Sequence, residues 1–213
     1  MRKNTCIWKE LTEHLPYTVF SVSMGFIVLG ILNFFAQLSN ASIIRPTQDL
    51  YHIFHSLHLL FSAAATVAMM RKYKENKFKA LIVGLIGSVG ICGLSDIIIP
   101  YLAGFLFNVR MHCHICVIHH PLMILPFLLT GLFLGLCVST HKAVKGFIFS
   151  HACHVLISSM ASILYLISFG LATHWVHHMG AVFVYSIIAV TLPCCCSDII
   201  FPILTLKNKN LYL

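Results

Sequence analysis

The sequence predicts an all-α integral membrane protein: six transmembrane helices in two inverted three-helix repeats, with both termini cytoplasmic. Three observations predict it. Of 213 residues, 59% are hydrophobic and only 9% are charged, against about 25% charged in a soluble domain. Apolar runs of about 20 residues, enough to cross a bilayer, recur along the chain. Rare polar residues inside those runs recur in the same order in each half.

The elements follow in order. Met1 to Pro16 is polar and charged, and the apolar run behind it is too long for the core of a signal peptide. That run, Tyr17–Ser39, is the first expected span. The second, Tyr51–Met70, carries His55 and His58, and the third, Ala80–Phe107, carries Asp96. A His-rich connector leads into the fourth, Pro121–Ser139. The fifth, Phe147–Ala172, opens on His151 and His154, and the sixth, Gly180–Leu206, contains Asp198.

Charge orients the spans. With the N-terminus inside, the cytoplasmic segments hold Arg2, Lys3, Lys9, Arg71, Lys72, Lys74, Lys77, Lys79, Lys142, Lys145, Lys207 and Lys209, leaving Arg45 and Arg110 outside. Basic residues concentrate on the cytoplasmic side of membrane proteins. The formal charge of +8 therefore reads as a topology signal in a cell membrane rather than as a nucleic-acid footprint. Nine scattered cysteines do not form a secreted disulfide pattern. Most lie in apolar runs, where a reduced thiol acts as a small hydrophobe.

Three matches predict the duplication. "HSLHLLFS" from His55 resembles "HACHVLIS" from His151, "CGLSDIIIP" from Cys92 resembles "CCCSDIIFP" from Cys194, and His14-Leu-Pro resembles His119-His-Pro. Their offsets are 96, 102 and 105 residues, in the same order along each half. Gly30 and Gly135 also correspond. Residues 1–107 and 108–213 are thus two repeats of one membrane domain. Three spans per repeat reverse the direction of the chain, giving the inverted topology of many secondary transporters.

The repeated polar residues are the candidate site. His55, His58 and Asp96, with His119 or His120 from the fourth helix, are expected to converge near the outer face. The inverted copy places His151, His154, Asp198 and His14 near the inner face. Three imidazoles and a carboxylate suit a divalent transition metal, with zinc preferred and iron also accommodated. His at i and i+3 share a helix face. Ser62, Ser95, Ser158 and Ser197 are expected to support the ligands by hydrogen bonding, and Pro100 and Pro202 to free carbonyls beyond each Asp. His112, His114, Cys113, Cys116, His174, His177 and His178 form a separate outer tract with the composition of a metal-capture loop.

The predicted function is a transporter for that metal, with protons as a coupling ion and no catalytic residue. A haem-binding electron carrier, with axial His, and a membrane-embedded His/Asp or metal-dependent lipid-modifying enzyme are the alternatives from other classes. A pure scaffold would leave the buried polar residues without a use, each costing about 2–3 kcal/mol at a helix centre. Six helices also form a unit small enough to pair as a homodimer.

Overall fold

The computed structural model describes residues 2–73, 75–137 and 144–195, with 201 and 205, and only the backbone of 2–11, 13, 14, 144–151, 192, 194 and 195. Every regular element among the described residues is helical. We label them α1 (Arg2–Leu38), α2 (Ile44–Lys72), α3 (Lys77–Leu106), α4 (Pro121–Cys137), α5 (Val144–Leu166) and α6 (Met179–Cys195). A single helical turn, Cys116–His119, interrupts the connector before α4.

Four helical stretches are long and apolar enough to cross a membrane: Leu15–Leu38, Ile44–Lys72, Lys77–Leu106 and Ala152–Leu171. Pro121–Cys137 and Met179–Thr191 are apolar but shorter. The 17 residues of α4 rise about 26 Å at 1.5 Å per residue. Side-chain distribution agrees with a bilayer as solvent. Phe20, Phe34, Phe105, Leu122 and Phe133 face outward, while Ser56, Ser62, Ser88, Ser95, Asp96, Ser158 and Ser162 are buried. Lipid removes the reason to hide apolar groups and raises the cost of exposing polar ones.

Helices α2 and α5 form the centre. α2 packs against α3, α4 and α5, and α5 packs against α1, α2 and α6. Small residues allow the closest of these approaches. Gly131 and Gly135 of α4 lie on the backbone of α2, where a Cβ on Gly131 would strike the Leu60 carbonyl and one on Gly135 would come within 2.7 Å of the Ala64 carbonyl oxygen. Two small residues four apart are the usual solution when membrane helices must touch at the backbone. Gly30, matched to Gly135 in the sequence, has open space around its Cβ position, so that correspondence does not extend to packing. Gly131→Leu is expected to push α4 off α2 and cut the yield of monodisperse protein in detergent several-fold. Gly30→Leu should leave that yield unchanged.

Two corrections concern where helices begin and how they wind. α2 starts at Ile44, seven residues before the apolar run, because the polar segment from Arg45 to Asp49 continues the helix. His55 and His58 are therefore its twelfth and fifteenth residues, about 17 and 21 Å from its start. They sit at mid-helix rather than near its mouth. The second correction is in α3, which widens to π geometry over Gly87–Cys92 and Leu94–Ile98.

Pro100 leaves one carbonyl of the second π segment without its helical donor. In the π register residue 100 would donate its N–H to the carbonyl of residue 95, but proline has no N–H. Ser95 O instead accepts from Ser162 Oγ of α5, at 2.9 Å. The widened turn carries Asp96, and the freed carbonyl ties that turn to α5.

Candidate functional site

Asp96 is fully buried and saturated with donors. Its Oδ2 accepts from His55 Nδ1–H at 2.9 Å and from His58 Nδ1–H at 2.7 Å. Its Oδ1 accepts from Ser95 Oγ at 2.8 Å and lies 3.4 Å from Ser158 Oγ. Both imidazoles come from one face of α2 because i and i+3 are neighbours on a helix. The carboxylate comes from the π turn of α3, and Ser158 from α5.

This arrangement decides the roles of the atoms. With both Nδ1 groups donating to the carboxylate, the remaining ring lone pairs of His55 and His58 lie on Nε2. Metal-ligating histidines commonly donate their other ring N–H to a carboxylate. Asp96 is thus placed as the group that orients two imidazoles. Ligation by its own oxygens would require breaking one of four contacts.

His58 Nε2 faces His154 Nε2 of α5 at 2.8 Å, with the rings nearly perpendicular. Two lone pairs cannot face each other at that distance, so a proton lies between them. The four residues form one continuous chain, His55–Asp96–His58–His154, running from α2 through α3 to α5. Tyr51 stacks on His55 at 5.5 Å, and Leu59, Cys92, Ile97, Leu164 and Tyr165 seal the surroundings with apolar contacts.

The expected residues distribute as follows. The structure brings together His55, His58 and Asp96 with Ser95 and Ser158. It also joins His154 to them, where the sequence had assigned His154 to a separate site at the opposite face. The physical reason is the central packing of α2 on α5, which places their mid-helix histidines in contact. Ser62 is buried on α2. The side chains of His14 and His151 lie outside the described residues, as do Ser197, Asp198 and Pro202.

His119 and His120 stand elsewhere. His120 packs edge-on against His52 of α2 at 4.7 Å, and His114 Nε2 lies 3.1 Å from His52 Nε2. His119 is exposed, its Nδ1–H donating to Ile115 O at 2.8 Å while its ring stacks on His114. Burial, then the neighbouring rings of His52, His119 and His120, hold the His114 imidazole down to about 4, so the ring is neutral at ordinary pH.

The remaining tract residues are spread out. His112 donates its backbone N–H to Phe169 O at 2.8 Å. Cys116 is buried, donates to Tyr51 Oη at 3.4 Å, and has its thiol pushed up to about 11 by that burial. Cys113 is exposed. His174 and His177 are exposed on the turn before α6, and His178 packs on Phe107.

Sequence reasoning missed His52, Tyr51 and Tyr165. His52 carried a usable signal, because His52, His55 and His58 continue one i, i+3 series. Tyr165 carried none; its hydroxyl donates to His112 O and accepts from His114 N–H, both at 3.1 Å, and that role exists only in the folded chain. No known protein family, curated protein or solved structure matches this chain.

Proposed function

We propose that this chain is a membrane transporter for a divalent transition-metal ion, zinc or iron, exchanged for protons at a site shared by two inverted three-helix halves. The observation that carries the reading is Asp96: a buried carboxylate holding two imidazoles of one half, one of which reaches His154 of the other half. A buried unpaired charge is costly inside a membrane. In this reading the carboxylate is retained because it prepares His55 and His58 for a cation.

The packing supports the two-half organisation. His58 and His154 occupy equivalent positions of the two repeats and touch each other, as residues beside a two-fold axis do. Ser158, the equivalent of Ser62, contacts Asp96. The neighbour pairs exchange in the same sense: α2 on α4 corresponds to α5 on α1, and α1 on α6 to α4 on α3. By the same repeat, Asp198 is assigned the role of Asp96 toward His151 and His154. Cytoplasmic termini belong to this proposal through the positive-inside distribution.

The exchange follows from distances. A tetrahedral ion with metal–nitrogen bonds of about 2.0–2.1 Å holds neighbouring ligand nitrogens about 3.3 Å apart. The 2.8 Å His58–His154 pair needs to open by about half an ångström to trade its proton for the ion. In this reading the pair carries one extra proton, an imidazolium that balances the Asp96 carboxylate, so entry of the ion at the shared position releases that proton. A haem iron between the same two nitrogens would need them about 4 Å apart, with room for a porphyrin, which fits the close pair poorly.

The test is flux into proteoliposomes containing a zinc-responsive dye and, separately, a pH dye. Wild type is expected to show metal entry coupled to proton movement in the opposite direction. Asp198→Asn should reduce it by about 100-fold. Metal flux no faster than in protein-free vesicles, for both zinc and ferrous iron, would sink the proposal.

A further inference from the structure

We propose that His52, His114 and His120 form a second metal site, distinct from the Asp96 centre. It lies where the connector between α3 and α4 closes over α2, and it takes one zinc-class divalent ion through three imidazole nitrogens with water at the fourth position. One ligand atom from each residue lies within 4.8 Å of the others. The His52–His114 separation of 3.1 Å is already close to the roughly 3.3 Å edge of a tetrahedral site. A simple hydrogen bond between those two rings leaves unexplained the third imidazole, brought edge-on to His52 from a different part of the connector. His120 is exposed, so its ring has freedom to close the remaining distance.

The site is held by its surroundings. His52 is fixed on α2. The backbone N–H of His114 donates to Tyr165 Oη, and its ring lies between Phe169 at 4.8 Å and His119 at 4.7 Å, nearly parallel to the former. The backbone N–H of His120 donates to Cys116 O at 2.8 Å. Three neutral imidazoles around one dication leave an open position in the manner of three-His zinc centres. Asp49, three residues before His52 and on the same helix face, adds an exposed carboxylate nearby. One turn deeper on α2 stands His55, the first member of the buried chain, so an ion released from the three-His site arrives next to the Asp96 centre.

Binding here needs no transport, so this inference and the transporter reading fail separately. Purified protein in detergent would be stripped with chelator and titrated with Co(II), reading the visible absorption of a tetrahedral site, followed by displacement with Zn(II). We expect one equivalent at the three-His site, told apart from any ion at the Asp96 centre by its loss in His120→Ala. Affinity should fall at least 10-fold in His120→Ala and in His114→Ala, several-fold in Tyr165→Phe, and not at all in Cys137→Ser, an exposed position at the end of α4. His120 is exposed, so its variant keeps the fold, which elution volume verifies. Unchanged affinity in His120→Ala, absence of the Co(II) spectrum in wild type, or loss of the spectrum in Asp96→Asn but not His120→Ala would each overturn the site.

Discussion

Asp96→Asn is expected to lower metal flux by about 10- to 100-fold, while the protein still folds. The substitution keeps the volume and shape of the side chain but changes what its oxygens ask of their neighbours. As a carboxylate, Asp96 accepts from both Nδ1 groups on one oxygen and from Ser95 on the other. An amide offers one oxygen and an N–H₂ group. Whichever way it is turned, an N–H₂ faces either the two imidazole donors or Ser95. With the N–H₂ toward the imidazoles, tautomers with the proton on Nε2 become the better choice for at least one His; with it toward Ser95, whose hydroxyl can accept, both imidazoles keep their tautomer but lose the carboxylate charge that raises their basicity as ligands. Charge-assisted hydrogen bonds contribute about 1.5–3 kcal/mol each, but removing the buried charge also removes its desolvation cost. The two effects oppose each other in stability and reinforce each other in function. Transport measured beside a thermal denaturation profile therefore separates the roles. A variant that transports normally, or that fails only because it does not fold, would show that Asp96 is a structural hydrogen-bond acceptor.

The same balance explains why this centre was legible in the sequence. Asp96 and its histidines stood out because charge and imidazole are expensive in an apolar run and because an i, i+3 pair shares a helix face. Those are local properties of the chain. The depth of the site was not local. It depended on α2 starting at Ile44, where Arg45 and Asp49 continue a helix whose apolar part begins later. The π turn at Asp96 was half legible: Pro100 announces a missing N–H, but the partner that satisfies the freed carbonyl, Ser162, comes from α5. Choosing between His119 and His120 was beyond the sequence, because the single turn at Cys116–His119 decides which ring swings toward α2.

The assignment of His154 failed for a related reason. Its equivalence to His58 was readable, and equivalence suggested two copies of a site at two faces. Contact between the copies depends on how far α2 and α5 slide along each other. Nothing within either helix reports that register. Ser158 and Ser162, one and two turns on from His154, meet the π turn of α3, so the register is set through a third helix.

His58 and His154 are therefore expected to behave as a single unit in a double-mutant cycle. His58→Gln and His154→Gln should each lower metal flux by about 100-fold, and the double variant should be no worse than either single one. Each substitution removes the same shared proton or ion position, so the second has nothing left to remove. In stability the cycle should give a coupling of about 0.5–3 kcal/mol, the range for groups in direct contact, read from denaturation in detergent. Gln preserves a polar tip of similar reach, which limits the cavity cost of truncation. Ser186→Ala, altering a buried hydroxyl of α6, is the control in which effects should add to those of His58→Gln. If the two His variants instead multiply in flux, each ring serves a different step, and the ion does not pass between them. The 2.8 Å contact would then be a helix-to-helix hydrogen bond holding α2 against α5, and the exchange would have to be sought at Nε2 of His55.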